Sequence, residues 1–281
     1  MFVRKPAVAG QFYPSDPDEL SSLIDGCYTH RLGPGKTPPA PRHDSDFVAV
    51  VSPHAGYVYS GPVAAHSYLH VSSMAAPELL VVVAPNHYGL GSGVSTFEEG
   101  EWETPLGRLR VDAKATAQLA DACDLVAFDP QAHRLEHSLE VQLPFLQRIY
   151  GNSVPLLPVS LVFQDIDTAK ALAAGLAKVV RGRRAVLVAS SDLTHYEPAE
   201  QARKKDTALI QQVLAMDLEG FYSTLERLGV TACGYGAIAT VMETARSLGV
   251  ARAELLKYAS SGDTSGDNLQ VVGYGALRFV G

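Results

Sequence analysis

The sequence predicts an α/β fold, a single domain over residues 1–281 with a central, largely parallel or mixed β-sheet flanked by helices. Three observations predict it. Apolar runs rich in β-branched residues, such as "FVAVVS" and "ELLVVVA", alternate with segments of helical periodicity, the pattern of strands buried on both faces by crossover helices. The chain has 281 residues, 47% hydrophobic and 19% charged, enough to bury a full core. Composition does not shift sharply along it and no internal repeat is visible, so nothing marks a domain boundary.

Taken in order, the first helix is expected at "SDPDELSSLIDGCY" (15–28), which opens on a Ser/Asp cap followed by proline. "RLGPGKTPPAPRHDSD" (31–46), rich in Pro and Gly, reads as a connecting loop. Strands are expected at 47–52, 78–84, "VPLLPVS" (154–160) and "RAVLVAS" (184–190). Helical periodicity marks 61–71, 112–123, 165–180, 198–216, 218–229 and 234–249. Near the end, "AELLKYA" and "LQVVGYGALRFV", separated by "SSGDTSGDN", predict two antiparallel strands at a sheet edge.

Charge narrows the function classes. A formal charge of -7 argues against nucleic-acid or anionic-membrane surfaces, which need concentrated Lys and Arg. The densest basic run, "RGRR" (181–184), reads as a solvated helix-to-strand turn. No apolar stretch approaches the roughly 20 residues that span a bilayer, and "MFVRKPAVAGQFYPS" holds no signal-peptide core. The cytoplasm is the expected compartment. Three cysteines, an odd number without paired spacing, speak against a disulfide framework. Cys27 and Cys123, near the ends of amphipathic helices, are expected to pack.

Three predicted strands end in the same way. "FVAVVSPH" delivers His54, "LLVVVAPNH" delivers His87, and "AVLVASSDLTH" delivers Asp192 and His195. Ligands of open α/β sheets bind beyond the carboxyl ends of parallel strands. One histidine after a strand is ordinarily a turn residue; three in equivalent positions point to a shared crevice, and metal binding is the chemistry that suits converging imidazoles. A third donor is available in "VTACGYGAIATVMETA", where Cys233 stands at a predicted helix start whose dipole favours the thiolate. The plainer alternative is a small buried hydrophobe beside Gly234.

In "AHRLEHSLEVQLPFLQ", His137 and Glu140 are three apart and share a face at a predicted helix start. They read either as groups that support the site or transfer protons, or with Glu140 as a dipole partner and Ser138 as part of the cap. His133 reads as more exposed. His66 and His70 are four apart without the glutamate of a zinc protease, so they are expected to pack; His30 and His43 carry no spacing signal. A serine hydrolase is disfavoured because no G-x-S-x-G elbow follows a strand.

These motifs, with "PAVAGQFYP", "PHAGYVYSGPVAAHSY", "PNHYG", "WETPLG", "EHSLEVQLPFLQ", "SSDLTHY", "ACGYGAI", "YASSGD" and "VVGYGA" in this order, resemble the Memo family. Its prokaryotic members are called AmmeMemoRadiSam system protein B. The resemblance implies a fold similar to the class III extradiol dioxygenases, which hold non-heme Fe(II) with two histidines and a carboxylate. It implies His54 and His87 as imidazole ligands, Cys233 in the third position, and His195 and Asp192 beside the metal, with His195 as proton donor or acceptor. Iron(II) is the first expectation for the cofactor, with copper and zinc as alternatives. AMMECR-type and radical SAM proteins are the implied partners, alongside a small-molecule substrate. Two departures stand out: the third position is a thiolate where the dioxygenases have a carboxylate, and Tyr88 and Tyr235 stand where some Memo relatives carry further histidines.

Overall fold

The four apolar runs expected as strands lie side by side and parallel in the middle of one sheet. The computed structural model describes residues 2–38, 47–75 and 77–280; residues 39–46 of the expected loop, His43 among them, lie outside the described residues. In chain order the elements are β1 (Val3–Arg4), α1 (Pro17–Thr29), β2 (Phe47–Ser52), α2 (Tyr57–Val71), β3 (Leu79–Pro85), β4 (Val94–Thr96), β5 (Glu101–Thr104), β6 (Gly107–Arg110), α3 (Ala113–Ala122) and β7 (Val126–Phe128). The second half adds α4 (Leu143–Tyr150), β8 (Leu156–Leu161), α5 (Ile166–Val180), β9 (Ala185–Ser190), β10 (His195–Glu197) and α6 (Ala199–Leu214). It ends with α7 (Leu218–Leu228), α8 (Tyr235–Ser247), β11 (Arg252–Ser260), α9 (Gly262–Ser265) and β12 (Val271–Val280). Two 3-10 turns, Pro130–His133 and Glu140–Gln142, lie between β7 and α4.

The main sheet is mixed, in the order β10-β12-β2-β9-β3-β8-β4-β7, with β11 also paired to β12. Strand alternation splits its side chains between two cores. Val51, Val81, Val83 and Leu187 face one core, shared with Leu172 and Leu176 of α5 and Ile238 and Val241 of α8. Their neighbours Val48, Val50, Leu80, Val82 and Val186 face the other, shared with Leu20 and Ile24 of α1, Tyr68 of α2 and Leu146 of α4. Period-two packing against helices on both sides explains why these runs are apolar on both faces rather than at alternate positions. Each such side chain stabilises the fold by about 1.5–3 kcal/mol through burial. Helix starts follow the sequence signals: Asp16, Asp112, Asp165 and Asp217 each accept backbone N–H groups of the first turn.

Three expectations are corrected. The second helix begins at Tyr57 rather than near Gly61, because the Tyr57 amide is held by the Phe12 carbonyl at 2.8 Å, and the helix runs on through Pro62. The late strands do form an antiparallel pair, but β12 also pairs with β2 and is interior. His133 is fully buried, not exposed: the turn that carries it folds beneath Phe97 and Trp102, whose rings lie 4.8 and 5.6 Å away. A small second sheet, β1-β5-β6, and the short strands β4, β7 and β10 have no counterpart among the expectations. Runs of two to four residues are too short to show periodicity.

Burial, with repulsion from Arg4, pulls the His133 imidazole down to about 3. An unfolded histidine titrates near 6.5, so the stability tied to the neutral ring is complete above that pH and is lost as pH falls toward 3. We expect His133→Leu to flatten the fall in unfolding free energy between about pH 6 and pH 4 by up to about 1.4 kcal/mol per unit. Denaturant titrations across that range measure it; an unchanged slope contradicts a neutral buried ring.

The N-terminal segment is held by a buried charge pair. Arg4 and Glu140 are 2% and 0% exposed and directly ion-paired, with Arg4 also donating to the carbonyls of His133 and Glu136. Glu140 further accepts the amides of Ala7 and Val8 and the hydroxyl of Tyr13. These bonds lay residues 7–13 against the carboxyl end of the sheet. Among the described residues, no helix is long and apolar enough to cross a membrane.

Candidate metal centre

Strand order explains why residues far apart in the chain meet. β2, β9 and β3 are consecutive and parallel in the sheet, so their carboxyl ends share an edge about 4.8 Å from strand to strand. His54, Asp192 and His87 each stand two residues beyond their strand. Cys233 arrives from the turn before α8, and Gly234 is what lets that turn close: a Cβ there would lie 2.3 Å from the Ser190 carbonyl oxygen.

One donor atom from each of His54, His87 and Cys233 lies within 4.8 Å of the others. The Cys233 Sγ is 3.2 Å from His54 Nε2. Metal bonds of about 2.0 Å to nitrogen and about 2.3 Å to sulfur set such a pair about 3.1 to 3.6 Å apart, so the pair already has the separation of two ligands of one ion. His137 stacks on His87 at 4.7 Å and meets His54 edge-on at 5.5 Å. Together with Glu136, His87 and His137 form a second group of mutually close donors. The cluster forms the floor of a cavity of about 620 Å³, walled by Phe12, Ala55, Gly56, Asp192, His195, Tyr196, Thr231 and Val272. That volume suits a small organic molecule.

Hydrogen bonds decide which ring nitrogens are free. The Ser190 hydroxyl donates to the Ser138 carbonyl and accepts from Gln142 Nε2, which leaves it an acceptor for His54 Nδ1 at 2.8 Å. Nδ1 of His54 therefore carries the proton, and Nε2 presents its lone pair toward Cys233. His87 is set the same way: Nδ1 donates to Glu136 Oε1 at 2.9 Å, freeing Nε2. Glu136 also accepts the amides of His87, His137 and Ser138.

The electrostatics disfavour protonation of His54 and His137 and favour an ionised Glu136. Burial holds His54 well below its ordinary value, with His137, His87 and His195 adding repulsion. Burial likewise pulls His137 down to about 4 against the attraction of Glu136. For Glu136, burial works upward but is outweighed by the His87 bond, the charges of His87 and His137 and the Ser138 amide, which bring it down to about 2. Cys233 departs from expectation: it precedes the helix, and burial, reinforced by Asp192, pushes its thiol well up rather than down. Without a cation, desolvation defeats the helix dipole there.

The remaining expected residues divide. Burial pushes the Asp192 carboxyl up to about 6, while the His54 amide bonded at 2.8 Å and the charge of His195 act against it. His195 is oriented by Thr231: it donates from Nδ1 to the Thr231 carbonyl and from its amide to the Thr231 hydroxyl. His137 lines the cavity, whereas Glu140 does not and belongs to the Arg4 pair. Helix α4 starts only at Leu143, so His137 and Glu140 share no helical face. Tyr88 and Tyr235 line no part of this cavity. Cys27 and Cys123 are buried, as expected of packing residues. Glu136, Ser190, Gln142, Thr231 and Phe12 were not anticipated. The only sequence signal was the adjacency of Glu136 to His137 in a histidine-bearing loop.

The whole-chain comparisons agree with the motif order. The family model for Memo-like proteins matches residues 4–278. A MEMO1 family protein of Methanopyrus kandleri is 46% identical over 278 residues, covering 98% of each chain. A MEMO1 family protein of Nitrosopumilus maritimus is 45% identical over 278 residues, covering 99% of this chain and 100% of the relative. One of Desulfurococcus amylolyticus is 45% identical over 279 residues, covering 98% of each. With the motifs, the family match and these identities all running the length of the chain, this protein belongs to the Memo family.

Proposed function

We propose that His54, His87 and Cys233 bind one metal ion, iron(II) before copper or zinc, and that the crevice performs dioxygenase-like oxidoreductase chemistry on a small molecule seated in the cavity. The observation that carries this reading is the convergence of three donor atoms within 4.8 Å on an open cavity. A bound iron(II) ion supplies redox chemistry and open coordination positions.

The chain's own residues do the rest. Ser190 and Glu136 hold the two rings with Nε2 free, so no tautomer change is needed when an ion arrives. His195, anchored through Nδ1–H on Thr231, keeps Nε2 as a proton acceptor at the cavity wall. The nearby Asp192 carboxylate stabilises the imidazolium that results. We expect Glu136→Gln to weaken metal binding by roughly 10–100-fold, the usual cost of losing a carboxylate behind a ligand histidine. A chelator competition measures it, and wild-type affinity would remove Glu136 from the site.

The sulfur supports a second reading. Thiolate is softer than carboxylate and, with two imidazoles, suits copper(I) or zinc in a carrier that works with AMMECR-type and radical SAM proteins. Elemental analysis of protein isolated without added metal, followed by O₂ uptake of the anaerobically iron-loaded protein with a panel of catechols, separates the two. Metal-dependent uptake supports the oxidoreductase, and His195→Ala is then expected to keep the metal and lose turnover by about 10²–10⁴-fold. Bound metal without uptake favours the carrier, whereas failure to bind iron, copper or zinc overturns both.

A further inference from the structure

Tyr196 is 72% exposed and has φ of +58°, a left-handed backbone that is costly for a residue with a Cβ and uncommon for an aromatic one. The other non-glycine residue with positive φ among those described, Met216, lies at the end of a helix, where this conformation is routine. Tyr196 lies instead inside a strand. The pairing of β10 with β12 slips there: His195 faces Val272 and Glu197 faces Val271, so Tyr196 is the extra residue of a bulge. In a regular strand, neighbouring side chains point to opposite faces. Here His195 and Tyr196 both line the same cavity, with ring centroids 5.7 Å apart. Re-aiming a side chain is what a bulge beside a functional site accomplishes. Burial offers little to offset the strain, because the side chain is mostly in solvent.

We propose that Tyr196 is a specificity-determining residue that stacks on the flat, aromatic part of the cavity's ligand, while His195 next to it reaches the ligand's polar end. The inference rests on the cavity being the ligand site, as proposed above. Apolar surface on the cavity wall from Phe12 and Val272, set against polar and ionisable groups on its floor, fits a planar aromatic body with a polar head. An aromatic stack is preferred offset or edge-on, and the phenol's exposure leaves its face free for either arrangement.

The test uses 4-nitrocatechol as the probe, titrated calorimetrically into metal-free and into iron-loaded protein under anaerobic conditions. Tyr196→Ala keeps the strained backbone and removes the ring; it is expected to weaken binding about tenfold, the size of one aromatic contact. Tyr196→Phe is expected to stay within about threefold of wild type, since the ring face remains. Tyr196→Gly is expected to bind as weakly as Tyr196→Ala while melting no lower than wild type, because glycine adopts this φ without strain. Metal content is expected to be the same in all four proteins. Equal probe affinity in Tyr196→Ala and wild type, or no binding of the probe by wild type in either form, overturns the proposal. If the protein takes up no metal yet the metal-free titration shows the Tyr196 difference, the metal reading fails and this one stands.

Discussion

Cys233→Ser is expected to purify without metal and to bind added iron(II) at least roughly 100-fold more weakly than wild type. Sulfur in the thiolate form is the donor that completes the set, and a serine hydroxyl neither ionises near neutral pH nor reaches as far. The substitution should leave the fold intact. It is close to isosteric, and Ser Oγ can accept the Asp192 amide that now points at Sγ from 3.3 Å. Unfolding of the metal-free proteins is therefore expected to differ by less than about 1 kcal/mol, while elemental analysis and chelator competition show the loss of the ion. Undiminished metal content in Cys233→Ser would sink the three-donor site, because His54 and His87 would then suffice.

Arg4→Met is expected to destabilise the fold by about 3–5 kcal/mol, the cost of leaving a buried carboxylate without its counter-charge. Glu140 is fully buried and has Arg4 as its charge partner. The reverse change, Glu140→Leu, strands the guanidinium and removes the acceptor of the Ala7 and Val8 amides and the Tyr13 hydroxyl. For that reason the double substitution Arg4→Met with Glu140→Leu should recover only part of the loss, since each orphaned donor costs about 1–3 kcal/mol. Urea unfolding of the three variants measures this. Loss of less than about 1 kcal/mol in Arg4→Met would show that the pair is solvated in solution. The pair also bears on the site: it lays down the segment in which Phe12 packs on His137 at 4.7 Å, so these variants should disturb the cavity wall too.

Much of the architecture could be read from residue order alone. The runs that lead to His54, His87 and Asp192 are apolar throughout but for Ser52 and Ser190 at two of their carboxyl ends, which marks them as central strands, and central parallel strands put their carboxyl ends on one edge. That reasoning brings the two histidines into one crevice before any coordinate is known. Cys233 could be nominated the same way, from a helix start and a following glycine, and its sulfur does lie 3.2 Å from His54. Its protonation could not: the dipole acts locally and is visible in sequence, whereas desolvation depends on everything packed around the sulfur.

The supporting groups illustrate the same limit. Ser190 reads as the last residue of a strand, Gln142 as part of a predicted helix start and Thr231 as a loop residue, and nothing in their neighbours announces a bond to a histidine. Glu140 was singled out for its spacing from His137, yet the chain enters a 3-10 turn there and sends the carboxylate to Arg4 instead, 136 residues away in sequence. Sequence by itself determined the family, the layered α/β class and which side chains stand at the strand tips, because backbone periodicity and strand direction are local properties that every residue of a run repeats. Tertiary structure alone decided the tautomers, the buried charge pair and the bulge that turns Tyr196 to the cavity, because each depends on a single contact between segments whose meeting no local pattern encodes.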